Sequence, residues 1–296
     1  KNIKTLIDEF KYPRKGPGML WESAKDKIVE SGSKIFMDAN AHEYKYFENS
    51  KSWKVKCRIN NEDYEIDCKQ IINSAPLKEV VSNITPTFKN KDEAKLLNYR
   101  DFITVAVILD YKLSFEDNWI YLHDPEIKAG RLQNFASWSP EMIDPNRECA
   151  CVGLEYFCNK DDNLWSSNDE EILEIAKKDL KKISIINKNK ISDYKVVRQE
   201  KAYPVYDENY KNSVSKIVKE LKNNYKTMHM VGRNGMHKYN NQDHAMMSSI
   251  LTVENILNDN FENDPWMINI DAEYHEEKKD QIKALKNLRQ YPEKII

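Results

Sequence analysis

Apolar and polar positions change period several times along this chain, and each change marks an element. Residues 3–10 read as a short helix. After the Gly16-Pro17-Gly18 turn, Leu20, Ala24 and Ile28 recur at helical spacing as far as Gly32. The stretches SKIFMDANAHEYKYFE, SWKVKCRIN and YEIDCKQIINSAP predict three strands, with turns at Asn49-Ser50 and over 60–63, and with the proline of SAP as a stop. A different region opens near Thr85. DFITVAVIL is almost continuously apolar, as in a strand buried on both faces. NWIYLHD, LQNFASWS and CACVGLEYFC, rich in aromatic and β-branched residues, predict further strands. Residues 169–185 predict an amphipathic helix entered through a polar start at 166–168. ISDYKVVRQEKAYPVY reads as a strand, 209–224 as a helix and 227–231 as a short strand. An apolar helix starts near Asp243, and the residues from Asp271 onward read as a highly charged helix.

This order predicts an α/β fold with α+β character: small strands, a mixed sheet with helices, then a return strand and helix. The expected division is 1–84 with a three-stranded meander, 85–225 around the mixed sheet, 226–260 as the return strand and helix, and 261–296 as a charged tail.

Composition narrows the function classes. The 296 residues carry 46 basic and 48 acidic side chains, a formal charge of −2 that gives no general attraction to nucleic acid or an anionic membrane. No apolar run reaches the length of a membrane span, and no signal-peptide pattern opens the chain. Five cysteines, an odd number, suggest reduced thiols in a cytoplasmic setting. Cys149 and Cys151 share a strand face, but Cys158 has the opposite parity and no CxxC occurs, so buried thiols are expected here rather than a metal site with His123. The chain begins with Lys1 rather than methionine, and residues upstream are expected.

The candidate chemistry concentrates in VGRNGMHKYNNQDH. Gly232 permits close approach to the backbone, and Arg233 offers a fork of donors suited to phosphate or carboxylate. Asp243 is a suitable N-cap for a helix whose free N–H groups and dipole face the loop. Together these predict an anion site; the plainer alternative is a capped strand–loop–helix with Arg233 in a salt bridge. His237 and His244 are candidates for proton transfer or for solvated loop residues. Tyr203 and Tyr206, around Pro204, are candidates for a pocket wall or for core. Trp119, Tyr121 and Trp138 are candidates for stacking on a nucleotide base or, again, for core.

The segment GRNGMHKYNNQD resembles the flavin-contacting segment of UDP-galactopyranose mutases: Gly-Arg, four variable residues, Lys/Arg-Tyr, then Asp or Asn before the final helix. YPRKGPGMLWE, IINSAP and KAYPVYD resemble segments of the broader flavin amine oxidase and protoporphyrinogen oxidase superfamily. The resemblance implies an FAD-linked two-domain fold and an FAD-dependent oxidoreductase acting on a small, anionic, nucleotide-sugar-like substrate. It implies catalytic roles for Arg233, His237 and Tyr239. Gly232, Arg233, Asn241, Gln242, Asp243, His244 and Met246 would lie against the flavin, and Arg233, Tyr239, Tyr203 and Tyr206 against substrate. The sequence departs from the pattern in two places. The seven glycines, at 16, 18, 32, 130, 153, 232 and 235, cannot form the Gly-x-Gly-x-x-Gly loop that cradles the FAD diphosphate. The N-terminal dinucleotide-binding βαβ unit is therefore expected on a missing segment, and weak FAD binding is expected without it. Asn241 stands where Asp is frequent. Two alternatives remain: a UDP-galactopyranose mutase-type isomerase, and a non-catalytic binding or assembly domain that has lost FAD.

Overall fold

The computed structural model describes residues 11–183, 191–259 and 263–269; the helices expected over 3–10 and from Asp271 lie outside the described residues. Helix α1 (Gly18–Glu30) follows a turn in which Gly16, at φ +89°, donates its N–H to Pro13 O at 2.9 Å. The Leu20/Ala24/Ile28 spacing does form a helix, yet none of its side chains is buried among the described residues. Strands β1 (Ala39–Phe47), β2 (Ser52–Ile59) and β3 (Glu62–Cys68) make the antiparallel meander. Asn60 and Asn61, both at positive φ, form its two-residue turn. The chain then leaves that sheet. Strand β4 (Ile71–Asn73), read from the sequence as the end of the third strand, joins another sheet, and α2 (Leu77–Ser82) starts directly after Pro76. Strand β5 (Ile84–Thr85) returns parallel to β1, so the four-stranded sheet β3-β2-β1-β5 is mixed.

After α3 (Lys91–Lys95) come β6 (Tyr99–Leu109), β7 (Trp119–Tyr121), β8 (Arg131–Asn134), α4 (Phe135–Trp138), β9 (Ala150–Cys158), α5 (Asn163–Ser166), α6 (Asp169–Lys182) and β10 (Ile191–Pro204). Their sheet, β10-β6-β9-β8-β7, is antiparallel at every step, which corrects the mixed sheet expected over 85–225. The connections β6→β7, β7→β8 and β8→β9 each reverse the chain, whereas the one through α6 crosses over β6 and returns β10 in the direction of β9. DFITVAVIL is also less enclosed than its composition suggests. Ile103, Val105, Val107 and Leu109 are buried in one core with Ile172, Ala176 and Leu180 of α6, while Phe102, Thr104, Ala106 and Ile108 on the other face are half-buried. The strand expected from LQNFASWS stops at Asn134, and FASW turns into α4. Helix α6 opens with a capping box, Asn168 accepting from Glu171 N at 2.9 Å and Glu171 accepting from Asn168 N at 3.0 Å.

A second core gathers Trp53, Leu77, Val81, Phe88 and Leu97 with Ile217 and Leu221 of α7 (Tyr210–Asn224) and Met228 and Met230 of β11 (Met228–Met230). Trp53 is fully enclosed there, and its indole N–H donates to Thr227 Oγ1 at 2.9 Å. Thus α3 and α7 pack with the meander side of the molecule rather than with β6. Strand β11 pairs in parallel with β4, and two further helices, α8 (Gly232–Gly235) and α9 (Gln242–Asn258), follow it. No helix among the described residues is long and apolar enough to cross a membrane. The architecture is α/β with α+β character, as the element order predicts.

Candidate functional site

The parallel pair β4–β11 ends on one side at Asn73-Ser74 and on the other at Val231-Gly232. Val231 N–H donates to Asn73 O at 3.0 Å, and Gly232, at φ +74°, turns the chain. Gly232 N–H donates to Ser248 Oγ at 3.0 Å, which fixes the turn to α9. Gly235 is required for a different reason: a Cβ there would stand 2.7 Å from Asn73 O and 3.1 Å from Ser74 Cα, both backbone atoms. The two glycines therefore let one turn of helix lie on the end of β4 and aim Arg233 away from it.

Arg233 reaches toward the other sheet. Its Nε donates to Asn240 O at 2.9 Å and its Nη1 to Ala202 O at 3.1 Å, so two main-chain carbonyls set the plane of the guanidinium. Its Cζ lies 5.1 Å from the Tyr203 ring centroid and 4.7 Å from that of Tyr239. The two tyrosines stack on each other, 5.5 Å apart and 14° from parallel. Arg233 has no acidic partner among the described residues. The salt bridge of the plainer alternative is absent from them, and the guanidinium lies over the Tyr203 and Tyr239 rings.

A second arginine enters from β8. Arg131 Nη2 donates to Tyr203 Oη at 3.1 Å, and its guanidinium carbon lies 4.5 Å from the Trp119 ring and 5.0 Å from that of Phe157. Its Nε pairs with the Glu155 carboxylate, and Gln133 Nε2 donates to the other oxygen of that carboxylate. Glu155 is 2% exposed, and burial pushes its carboxyl up while Arg131 and Gln133 pull it back. Arg131 and Glu155 are directly opposed in the β8–β9 register. Sequence reasoning missed this pair. The available signal was a single carboxylate inside the apolar run CACVGLEYFC, which requires a buried partner.

The remaining candidates separate by placement. Trp119 and Tyr121, stacked 5.9 Å apart, stay 41% and 59% exposed beside Arg131, whereas Trp138 packs on Tyr12 and Trp119. Tyr121 and Arg131 both act electrostatically on Tyr239, whose hydroxyl is raised above the usual tyrosine range, chiefly by desolvation. Tyr206 supports the loop instead of Tyr203: its Oη accepts the Tyr239 N–H at 2.6 Å, and its ring stacks on Tyr210 at 4.2 Å. His237 is fully buried at φ +46°, edge-on to Tyr99 at 4.8 Å. Desolvation lowers its pKa to about 4, with the Val205 backbone and Asp207 opposing. We assign this histidine a structural role in the core, since a neutral enclosed ring is not placed to exchange protons with substrate.

At the start of α9 the cap is Asn241 rather than Asp243. Asn241 and His244 form a capping box, with Asn241 N–H donating to His244 Nδ1 at 3.3 Å, because the chain turns into helix two residues earlier than expected. Gln242 and Asp243 are exposed in the first turn, and Met246 is half-buried behind them. Among the cysteines, Cys149 and Cys158 are buried and burial raises the Cys151 thiol to about 11. No group of three His, Cys, Asp or Glu that could hold a metal occurs among the described residues.

Tyr239 itself is fixed from both sides. Besides Tyr206 at its N–H, Asn269 Nδ2 donates to its carbonyl at 2.9 Å and to Asn240 Oδ1 at 3.4 Å, while Lys238 Nζ donates to Trp266 O at 3.2 Å. The segment 263–269 thus ties down the loop that carries the tyrosine. Asn269→Ala is expected to cost about 1 kcal/mol in global stability. It is also expected to accelerate amide exchange at 238–240 several-fold, whereas unchanged exchange in that peptide would remove Asn269 from the support of Tyr239.

The fold is similar to that of solved UDP-galactopyranose mutase and amine oxidase structures, as the motifs lead one to expect. Sequence comparison finds no matching family model and no matching curated protein. Among solved structures, reduced UDP-galactopyranose mutase is similar with a TM-score of 0.73 at 16% identity, over 87% of this chain and 56% of that one. A protein from Exiguobacterium assigned as a protoporphyrinogen oxidase is similar with a TM-score of 0.59 at 13% identity, over 81% and 51%. Cyclohexylamine oxidase from Brevibacterium oxydans is similar with a TM-score of 0.53 at 10% identity, over 76% and 48%. The chain therefore spans about half the length of the structures it matches.

Proposed function

We propose that this chain forms the substrate-facing part of a flavin-dependent enzyme that acts on a small, anionic, nucleotide-sugar-like molecule. One observation carries the reading: Arg233, oriented by two carbonyls, presents donors beside a tyrosine pair with no acidic side chain to neutralise it among the described residues. A cation held open in this way has an anion as its natural partner.

The cofactor fit is divided. The tight Gly232 turn at the end of a parallel strand pair, followed by the start of α9, suits the flavin end of FAD, and Gly232, Arg233, Asn241 and Gln242 are the residues that would approach it. The diphosphate end has no cradle in this sequence, because its seven glycines make no Gly-x-Gly-x-x-Gly. That loop is proposed to reside on a further segment. FAD would supply the flavin chemistry; this chain's residues would bind and orient substrate, with Arg233 and Tyr239 on its charged end and Trp119 with Tyr121 on its ring. Mutase-type isomerisation is favoured over net oxidation by the 0.73 similarity to the mutase, against 0.59 and 0.53 for the oxidases. The free state of all five cysteines, each clear of disulfides, suits a reducing, cytoplasmic setting.

Calorimetry tests the substrate class without the cofactor. UDP-galactose is expected to bind this chain, and uncharged galactose to bind at least tenfold more weakly. Equal affinity for the two sugars would refute an anionic substrate.

A further inference from the structure

Two arginines flank Tyr203, but their charges are not equally available. Arg131 is 7% exposed and its Nε is paired with Glu155, itself 2% exposed and held by Gln133. Its Nη2 is committed to Tyr203 Oη at 3.1 Å, and aromatic rings cover its guanidinium from Trp119 and Phe157. Arg233 is half-buried and spends two donors on backbone carbonyls, which carry no net charge. Buried ion pairs are screened little by solvent, so Glu155 cancels most of the field of Arg131 at the tyrosine pair. The pair is local to β8 and β9, and Arg233, over the Tyr203 ring rather than at its hydroxyl, is not part of it.

We propose that Glu155 is a specificity-determining residue: by neutralising Arg131 it leaves Arg233 as the cation that reads the substrate anion, with Arg131 acting as a positioning residue for Tyr203. This rests on the anionic-substrate reading and deepens it. The site then receives one phosphate group at Arg233 instead of clamping two phosphates between two arginines. The carboxylate also acts as a discriminator, because a more highly charged anion gains nothing from the second arginine while Glu155 is ionised. Truncating the carboxylate's charge while keeping its shape, by Glu155→Gln, exposes the Arg131 charge to the same tyrosines.

The experiment compares wild type, Glu155→Gln, Arg131→Gln and Arg233→Ala by calorimetry with inorganic pyrophosphate, alongside thermal melts. It also follows the titration of Tyr239 in protein carrying 13C-labelled tyrosine, which needs no ligand. Glu155→Gln is expected to tighten pyrophosphate binding at least fivefold and to lower the Tyr239 titration midpoint. Arg131→Gln, which leaves the Glu155 charge uncancelled, is expected to weaken binding by less than Arg233→Ala does in protein that remains folded, and Arg233→Ala to weaken it at least tenfold. An unchanged Tyr239 midpoint in folded Glu155→Gln overturns the proposal whatever binds. So does an Arg131→Gln loss as large as that of Arg233→Ala. If Arg233→Ala has no effect while the Tyr239 midpoint moves, Glu155 does mask Arg131 and the anionic-substrate reading fails alone.

Discussion

Arg233→Ala is expected to lower turnover of the flavin-loaded protein by tens- to hundreds-fold, on the order of 2–4 kcal/mol of transition-state stabilisation. The guanidinium has a fixed orientation and no acidic partner among the described residues, so its loss removes orientation and charge together. A cost in stability accompanies it. Asn240 O and Ala202 O each lose a donor, and the stacked tyrosines lose a cation at 4.7–5.1 Å, which together amount to about 1–3 kcal/mol. Activity must therefore be normalised to folded protein at a temperature well below the melt. Tyr239→Phe is expected to act in the same direction with a smaller loss, on the order of 1 kcal/mol, because it removes one hydroxyl and leaves the stack. Full turnover per folded molecule in Arg233→Ala would leave the anion site without support.

The second large effect is on stability against acid. His237 has an ordinary value of 6.5 and a folded value of about 4, lowered by desolvation. The unfolded chain therefore binds the proton first on the way down in pH. The stability conferred by a neutral His237 is complete above about pH 6.5, falls between there and pH 4, and is on the order of 2–3 kcal/mol lower at pH 4.5. Lys78 works with desolvation and Asp207 against it, while the flanking Tyr99 and Tyr210 stay neutral throughout this window. Urea denaturation of wild type and His237→Gln at pH 7.5 and 4.5 checks the expectation. The wild-type drop should exceed that of the variant by roughly 2–3 kcal/mol; equal drops would show that this ring is not the group that titrates.

Periodicity and turn chemistry located most of the elements in the described residues, because those signals are local. The meander with its asparagine turn, the capped helix α6, the strand of ISDYKVVRQEKAYP and the return strand all follow from residues within a few positions of one another. The VGRNGMHKYNNQDH segment was likewise legible as a candidate site, since its glycines, arginine and helix start exceed what a plain strand–turn–helix requires. Partnership was decided at long range. That β4 leaves the meander for β11, more than 150 residues away, is fixed by pairing that no window of sequence contains. The burial of His237 under Tyr99, the support of Tyr239 by Asn269, and the Arg131–Glu155 pair across two strands depend on which surfaces meet. Local chemistry singled out Arg233 as a candidate for binding an anion. The tertiary structure alone showed that Arg131 is paired with Glu155 while Arg233 bonds to main-chain carbonyls, because an ion pair depends on distance and burial rather than on order along the chain.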